Sequence, residues 1–121
     1  MIKLNASLSF GGELEVPSDK SISHRSALLN SISIGKSKIL NYSDGEDCIS
    51  TLSVLKELGA NINLIAKENS YDLEIESNGL DSFAKPKNNL YTGNSGTTTR
   101  LLSGILSFAL IHPHLVRRKG E

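Results

Sequence analysis

The chain has 121 residues, 38% hydrophobic and 21% charged, enough for one soluble domain, or part of one, with its own core. Thirteen basic and thirteen acidic residues cancel, so no global field draws the chain to nucleic acid or to an anionic membrane, and any affinity for anions must be local. The single cysteine, Cys48, excludes an intramolecular disulfide and a cysteine-based zinc cluster.

The chain opens with alternating Leu4, Ala6 and Leu8, not with a charged segment followed by an apolar run, and no stretch approaches the length of a membrane span; the default location is the cytoplasm. Ile2 to Ser9 and Glu13 to Val16 flank Phe10-Gly11-Gly12 and predict a hairpin that Pro17 ends. Ser18 or Asp19 caps a helix predicted from Lys20 to Ile34, with Ile22, Leu28, Leu29 and Ile32 on one side and Gly35 as its stop. Lys38 to Tyr42 reads as a short strand. Ser43-Asp44-Gly45 is the turn before a second helix, Glu46 to Leu58, striped by Ile49, Leu52, Leu55 and Leu58 and closed by Gly59. Cys48 falls in that helical pattern as a small core or boundary residue.

Asn61 to Ala66 and Tyr71 to Glu76 form an antiparallel pair around Lys67-Glu68-Asn69-Ser70, and Asn78 to Asn89 reads as a loop. Leu90-Tyr91-Thr92 is a further strand. Gly93-Asn94-Ser95-Gly96 then opens a helix carrying Leu101, Leu102, Ile105, Leu106 and Ala109. This succession indicates a mixed α/β (α+β) layer architecture built on a βαβαββ unit.

Two segments concentrate groups suited to anions. At the first helix start, Lys20 projects from the opening turn beside free backbone N–H groups, and Ser21 and Arg25, four apart, share a face. Arg offers a planar fork for carboxylate or phosphate, and Lys a mobile point charge. Cations in a first turn oppose the helix dipole, which predicts a compensating anion. The second segment is Gly93-Asn94-Ser95-Gly96-Thr97-Thr98-Thr99-Arg100. Its glycines permit a tight turn, Asn94 or Ser95 can cap, and three mediocre helix formers in a row point to hydroxyls offered to a ligand. Each segment alone is also compatible with an ordinary capped helix start.

Other features read as bland. Gly35-Lys36-Ser37 ends like a phosphate-binding loop, but Asn30 stands where that motif needs glycine, and the tripeptide follows a helix instead of preceding one. Asp44, Glu46 and Asp47 complement the dipole of the second helix. His112-Pro113-His114 has no third ligand nearby, so no metal site is expected. Arg117-Arg118-Lys119 reads as a solvated basic end, and His24 either as a residue able to titrate near neutral pH beside a bound phosphate or, equally, as a surface or supporting residue.

Taken together, Val16-Pro17-Ser18-Asp19-Lys20-Ser21-Ile22-Ser23-His24-Arg25 and Gly93-Asn94-Ser95-Gly96-Thr97 through Arg100, in this order, resemble the 5-enolpyruvylshikimate-3-phosphate (EPSP) synthase family; Asp44-Gly45-Glu46-Asp47 and Leu58-Gly59-Ala60 match between them. The resemblance covers residues 1–107 as the N-terminal part of an enolpyruvyl transferase domain, an incomplete pseudo-threefold arrangement of βαβαββ units, and leaves 108–121 as a divergent or truncated tail. It implies transfer of the enolpyruvyl group of phosphoenolpyruvate to the 5-hydroxyl of shikimate 3-phosphate, without a cofactor. Carried over by position, Lys20 contacts phosphoenolpyruvate, while Ser21 and Arg25 contact shikimate 3-phosphate. Asn94, Gly96 and Thr97 line the phosphoenolpyruvate side, Gly96 leaving room there, and Arg100 supports the site.

Family members are several times longer, and the acid/base groups of the family have no counterpart in this chain, so no catalytic residue is assigned. The expectation is an N-terminal portion that is inactive alone and whose partner is the remainder of the enzyme. The alternatives are a non-catalytic anion-binding or assembly module and a UDP-N-acetylglucosamine enolpyruvyl transferase; Ser-Asp-Lys-Ser-Ile-Ser-His-Arg fits the shikimate family better. Helix stripes that pack against missing units leave apolar surface exposed. The chain is therefore expected to self-associate or melt non-cooperatively; a monodisperse monomer with one sharp thermal transition refutes this.

Overall fold

The computed structural model describes residues 1–7, 9–109, 111 and 113–118. In chain order the elements are α1 (Lys20–Ile32), β1 (Ile34–Ser43), α2 (Glu46–Glu57), β2 (Asn61–Ala66), β3 (Ser70–Asn78), a single 3-10 turn at Leu80–Ser82, β4 (Leu90–Tyr91), α3 (Gly96–Leu106) and β5 (Leu115–Val116). No described helix is long and apolar enough to cross a membrane.

A three-stranded antiparallel sheet, ordered β1-β3-β2, forms one layer. Strict alternation along the central strand sets its two faces: Leu73, Ile75 and Ser77 point inward, and Glu74 and Glu76 outward. The register places Lys36 opposite Glu76 and Lys38 opposite Glu74 on β1, with Asn61 and Asn63 beyond them on β2. The middle of that outer face is polar across all three strands, with Ile34, Leu40 and Ile65 exposed toward its ends, and Lys36 Nζ lies 3.5 Å from Glu76 Oε1. The inner face meets Ala27 and Leu28 of α1 and Leu52, Val54 and Leu55 of α2, all buried with Tyr42, Leu58, Leu90 and Leu102 in one core. A two-stranded parallel pair, β4 with β5, lies at the α3 end, with Leu90 opposite Leu115 and Tyr91 opposite Val116.

Both helical stripes of α2 and α3 take the predicted side: Leu52, Leu55, Leu58, Leu102, Leu106 and Ala109 are buried, with Ile49, Leu101 and Ile105 packed at the margin. The stripe of α1 differs. Ile22 and Leu29 are 66% and 57% exposed, and the buried side is Ser23, His24, Ala27, Leu28 and Ser31. Small and polar residues face inward because this helix lies close to both β1 and α2: Ser23 Oγ accepts from Ser43 N at 3.0 Å and donates to Asp19 O at 2.6 Å.

Three other expectations change. The predicted hairpin is not formed: residues 1–7 and 9–19 contain no strand, and Ile2, Leu4, Leu14 and Val16 are exposed, since alternation makes a strand only where a partner edge and a surface to cover are present. Leu8, part of that prediction, lies outside the described residues, as do His112 and Lys119. Helix α1 ends at Ile32, and Gly35, expected to stop it, sits inside β1. The end is secured by Ser33 N donating to Leu29 O at 3.1 Å and by Ser77 Oγ donating to Ser31 O at 2.7 Å, so no left-handed residue is needed. Strand β1 is longer than predicted and carries an irregularity between Ile39 and Tyr42, where Asn41 adopts φ 58° and its N–H donates to Asp72 Oδ1.

Tyr42 closes the core with its hydroxyl donating to Cys48 O at 2.8 Å, both residues fully buried. Tyr42→Phe removes this bond while keeping the ring, and is expected to destabilise the fold by about 1 kcal/mol. A urea midpoint equal to that of the parent chain, at equal m-value, refutes the assignment.

Candidate functional site

Asp19, not Ser18, caps α1, its Oδ1 accepting from Ile22 N at 2.6 Å. Ser95 caps α3 in the same way, accepting from Thr98 N at 3.0 Å. Helix α2 has Gly45 at its cap position with no side-chain cap, so Glu46 and Asp47 are the groups that meet its positive end.

The three helix starts converge on Asp47. Its carboxylate forms an ion pair with the Lys20 ammonium. Its carbonyl lies 3.4 Å from both Thr51 Oγ1 and Thr98 Oγ1. The compensating anion predicted for the Lys20 turn is therefore supplied from inside the chain, and the hydrogen bond to Asp47 holds the Lys20 ammonium above its ordinary pKa.

Beneath this surface runs a closed line of polar side chains. His24 Nδ1 lies 2.7 Å from Thr51 Oγ1, Thr51 Oγ1 is 2.7 Å from Thr98 Oγ1, and Thr98 Oγ1 is 2.7 Å from Ser95 Oγ. All four residues are 0% exposed. His24 is thus buried, not at the surface. Burial, and next the Lys20 charge one turn earlier, push its pKa below the ordinary value, with Asp47 opposing. Burial pushes the Cys48 thiol up, in keeping with an inert core cysteine.

The same line corrects the reading of the three threonines. Thr98 is committed to the buried line, and Thr99 Oγ1 bonds Thr92 Oγ1 at 2.8 Å and Ser95 O at 2.9 Å. Two of the three hydroxyls hold the loop against its own helix, and only Thr97 stands exposed. Gly93 has φ +61°, and a Cβ there would meet Ser50 Oγ at 2.7 Å, so both conformation and space require glycine where the loop crosses α2.

Of the predicted site residues, Lys20, Ser21 and Arg25 are exposed on the opening turns of α1, and Asn94, Thr97 and Arg100 are exposed at the start of α3, with Gly96 half-buried. Among the described residues, the side chains of Ser21, Arg25, Asn94, Thr97 and Arg100 make no hydrogen bond or ion pair. The space over Gly96 holds another group: Arg117 Nη1 and Cζ lie 3.3 and 3.4 Å from where a Cβ would stand. Arg117 arrives there because β5 runs beside β4, with Thr92 N donating to Val116 O at 2.9 Å and Arg118 N to Gly93 O at 2.8 Å. The basic end is therefore partly built into the loop. Asp47, Thr51 and Arg117 were not singled out from the sequence as site residues; the one available signal was the uncompensated charge at Lys20, which implied an anion without saying which.

The family model described as EPSP synthase (3-phosphoshikimate 1-carboxyvinyltransferase) matches residues 5–115. A 3-phosphoshikimate 1-carboxyvinyltransferase of Oenococcus oeni is 51% identical over 96 residues, covering 79% of this chain and 21% of the relative. One of Staphylococcus haemolyticus is 48% identical over the same share of each chain. The solved EPSP synthase from Acinetobacter baumannii superposes with a TM-score of 0.77 at 35% identity, over 88% of this chain and 23% of that one. The chain spans about a fifth to a quarter of the length of the relatives it matches.

The lowered His24 pKa gives stability a defined pH dependence. Below its ordinary value of 6.5 the unfolded chain takes up a proton that the folded chain does not, so stability falls as pH drops from there toward the folded pKa. Urea midpoints across this window should fall more steeply in the parent chain than in His24→Asn; parallel profiles refute a buried neutral His24.

Proposed function

The chain belongs to the EPSP synthase family, and we propose that it supplies one side of the site at which the enolpyruvyl group of phosphoenolpyruvate passes to the 5-hydroxyl of shikimate 3-phosphate. The observation that carries this reading is the arrangement of α1 and α3: their opening turns are tied together by buried side chains, and Ser21, Arg25, Asn94 and Thr97 stand exposed above them with no partner among the described residues. The relatives compared are 3-phosphoshikimate 1-carboxyvinyltransferases, which favours shikimate 3-phosphate over a UDP-sugar as acceptor.

In the transfer, a C–O bond forms from the acceptor hydroxyl to C2 of phosphoenolpyruvate, and the bond from C2 to the phosphate oxygen breaks through an addition and elimination sequence. Both substrates are anions, so their approach requires fixed positive charge. Ser21 and Arg25 hold shikimate 3-phosphate, Arg25 by its planar fork. Lys20, Asn94, Gly96 and Thr97 hold phosphoenolpyruvate, with Arg100 supporting. Gly96 and Thr97, as the first residues of α3, present main-chain N–H groups that no earlier helical carbonyl can take. The pairing of Lys20 with Asp47 gives its ammonium a fixed direction before an anion arrives, and an anion reaching Gly96 also meets the Arg117 guanidinium.

None of these residues is assigned as the acid or base of the reaction, and the chain by itself is expected to bind without turnover. Titration calorimetry should register weak, salt-sensitive binding of shikimate 3-phosphate that falls at least about tenfold in Arg25→Ala. Unchanged affinity in that variant counts against the site, and sustained phosphate release from phosphoenolpyruvate and shikimate 3-phosphate by this chain alone overturns the expectation of inactivity.

A further inference from the structure

His24 has a role that neither its exposure nor its charge explains. It lies one turn after Lys20, fully buried, and only one of its two ring nitrogens is engaged: Nδ1 meets Thr51 Oγ1 at 2.7 Å, while Nε2 is buried with no partner among the described residues. A buried polar atom left unsatisfied is destabilising, because it loses its hydrogen bonds to water and gains none in return. A phenylalanine or leucine would fill the position without that cost, so the gain must come from the Nδ1 side.

What Nδ1 touches runs on to the α3 cap. Each hydroxyl has one proton to give. Thr98 Oγ1 donates to Ser95 Oγ, so Thr51 donates to Thr98 and Nδ1 donates to Thr51. The ring is the donor at the head of the line, and hydrogen bonds in such a chain reinforce one another. Without it Thr51 Oγ1 loses its 2.7 Å partner and keeps Thr98 Oγ1 and the Asp47 carbonyl, the latter at 3.4 Å, longer than a normal O–H···O bond, so the line keeps its inner links but loses the end group that directs it. Ser95, at the far end, caps α3 and sets the direction of its first turn.

We infer that His24 is a positioning residue: from its δ nitrogen, through Thr51 and Thr98, it fixes the Ser95 cap and the first-turn N–H groups of α3 relative to the α1 turn that carries Lys20, Ser21 and Arg25. It touches no substrate. Its consequence for phosphoenolpyruvate rests on the functional reading above; its consequence for the α3 turn does not.

The δ position makes the test specific. Asparagine puts a hydrogen-bonding atom where Nδ1 stands, glutamine puts one nearer Nε2, and phenylalanine fills the volume with none. In the 121-residue chain, amide hydrogen exchange of Thr98, read by NMR without ligand, should be about tenfold faster in His24→Phe and His24→Gln than in the parent, and within about twofold of the parent in His24→Asn. Phosphoenolpyruvate-induced shifts at Gly96 and Thr97 should weaken in the same order, while shikimate 3-phosphate shifts at Ser21 and Arg25 persist. A role in packing alone predicts the opposite ranking, with phenylalanine closest to the parent and the smaller asparagine worst. That ranking, or equal exchange in the asparagine and glutamine variants, overturns the inference. If His24→Phe does not fold, the asparagine and glutamine pair still decides it. If phosphoenolpyruvate shifts nothing in the parent, the functional reading fails and the exchange ranking alone judges His24.

Discussion

Four fully buried polar side chains, His24, Thr51, Thr98 and Ser95, must satisfy one another, and that obligation sets where the three helix starts stand. Hydrophobic contact alone would allow α3 to slide or rotate on α2, because apolar packing is non-directional. A hydroxyl line with 2.7 Å links is not so tolerant. It ties the α3 opening turn to α1 through Thr51 of α2.

Charge is arranged above this layer with similar economy. Lys20 is held by Asp47, whose backbone also belongs to the start of α2, so a cation in one first turn is balanced by an anion from another. The ammonium remains at the surface, where under the proposed function an incoming phosphate or carboxylate competes with Asp47 for it. At α3 the first turn holds no acidic residue, and Arg117, the residue that follows β5, stands beside it. The two turns therefore differ: one takes its counter-ion from α2, and the other adds a cation.

The elements with the strongest local patterns were legible before the fold was known. The leucine stripe and Gly59 of α2, the pair β2 and β3 with its polar turn, and the glycine-bounded loop before α3 all form within a residue or two of their predicted limits. The failures share a cause. Ile2, Leu4, Leu14 and Val16 alternate as a strand does, and Ile22 and Leu29 repeat as a buried helix face does, yet periodicity records only a surface capable of being covered and not whether anything covers it. The α1 terminus shifted because a serine from β3, 46 residues away, satisfies the late carbonyl that a glycine cap would have served.

The sequence by itself determined the element types, the two segments that hold anion-seeking groups, and the resemblance that links them, because capping, turn chemistry and apolar spacing act over a few neighbouring residues. Only the tertiary structure decided which groups in those segments are free. His24 and Thr51 meet across 27 residues, Thr51 and Thr98 across 47, and Arg117 reaches Gly96 through a strand pairing. Contacts of that separation depend on how helices pack on the sheet, and no local pattern of residues encodes them. They commit the Thr98 hydroxyl and His24 to the interior, leaving Ser21, Arg25, Asn94 and Thr97 exposed with no partner among the described residues.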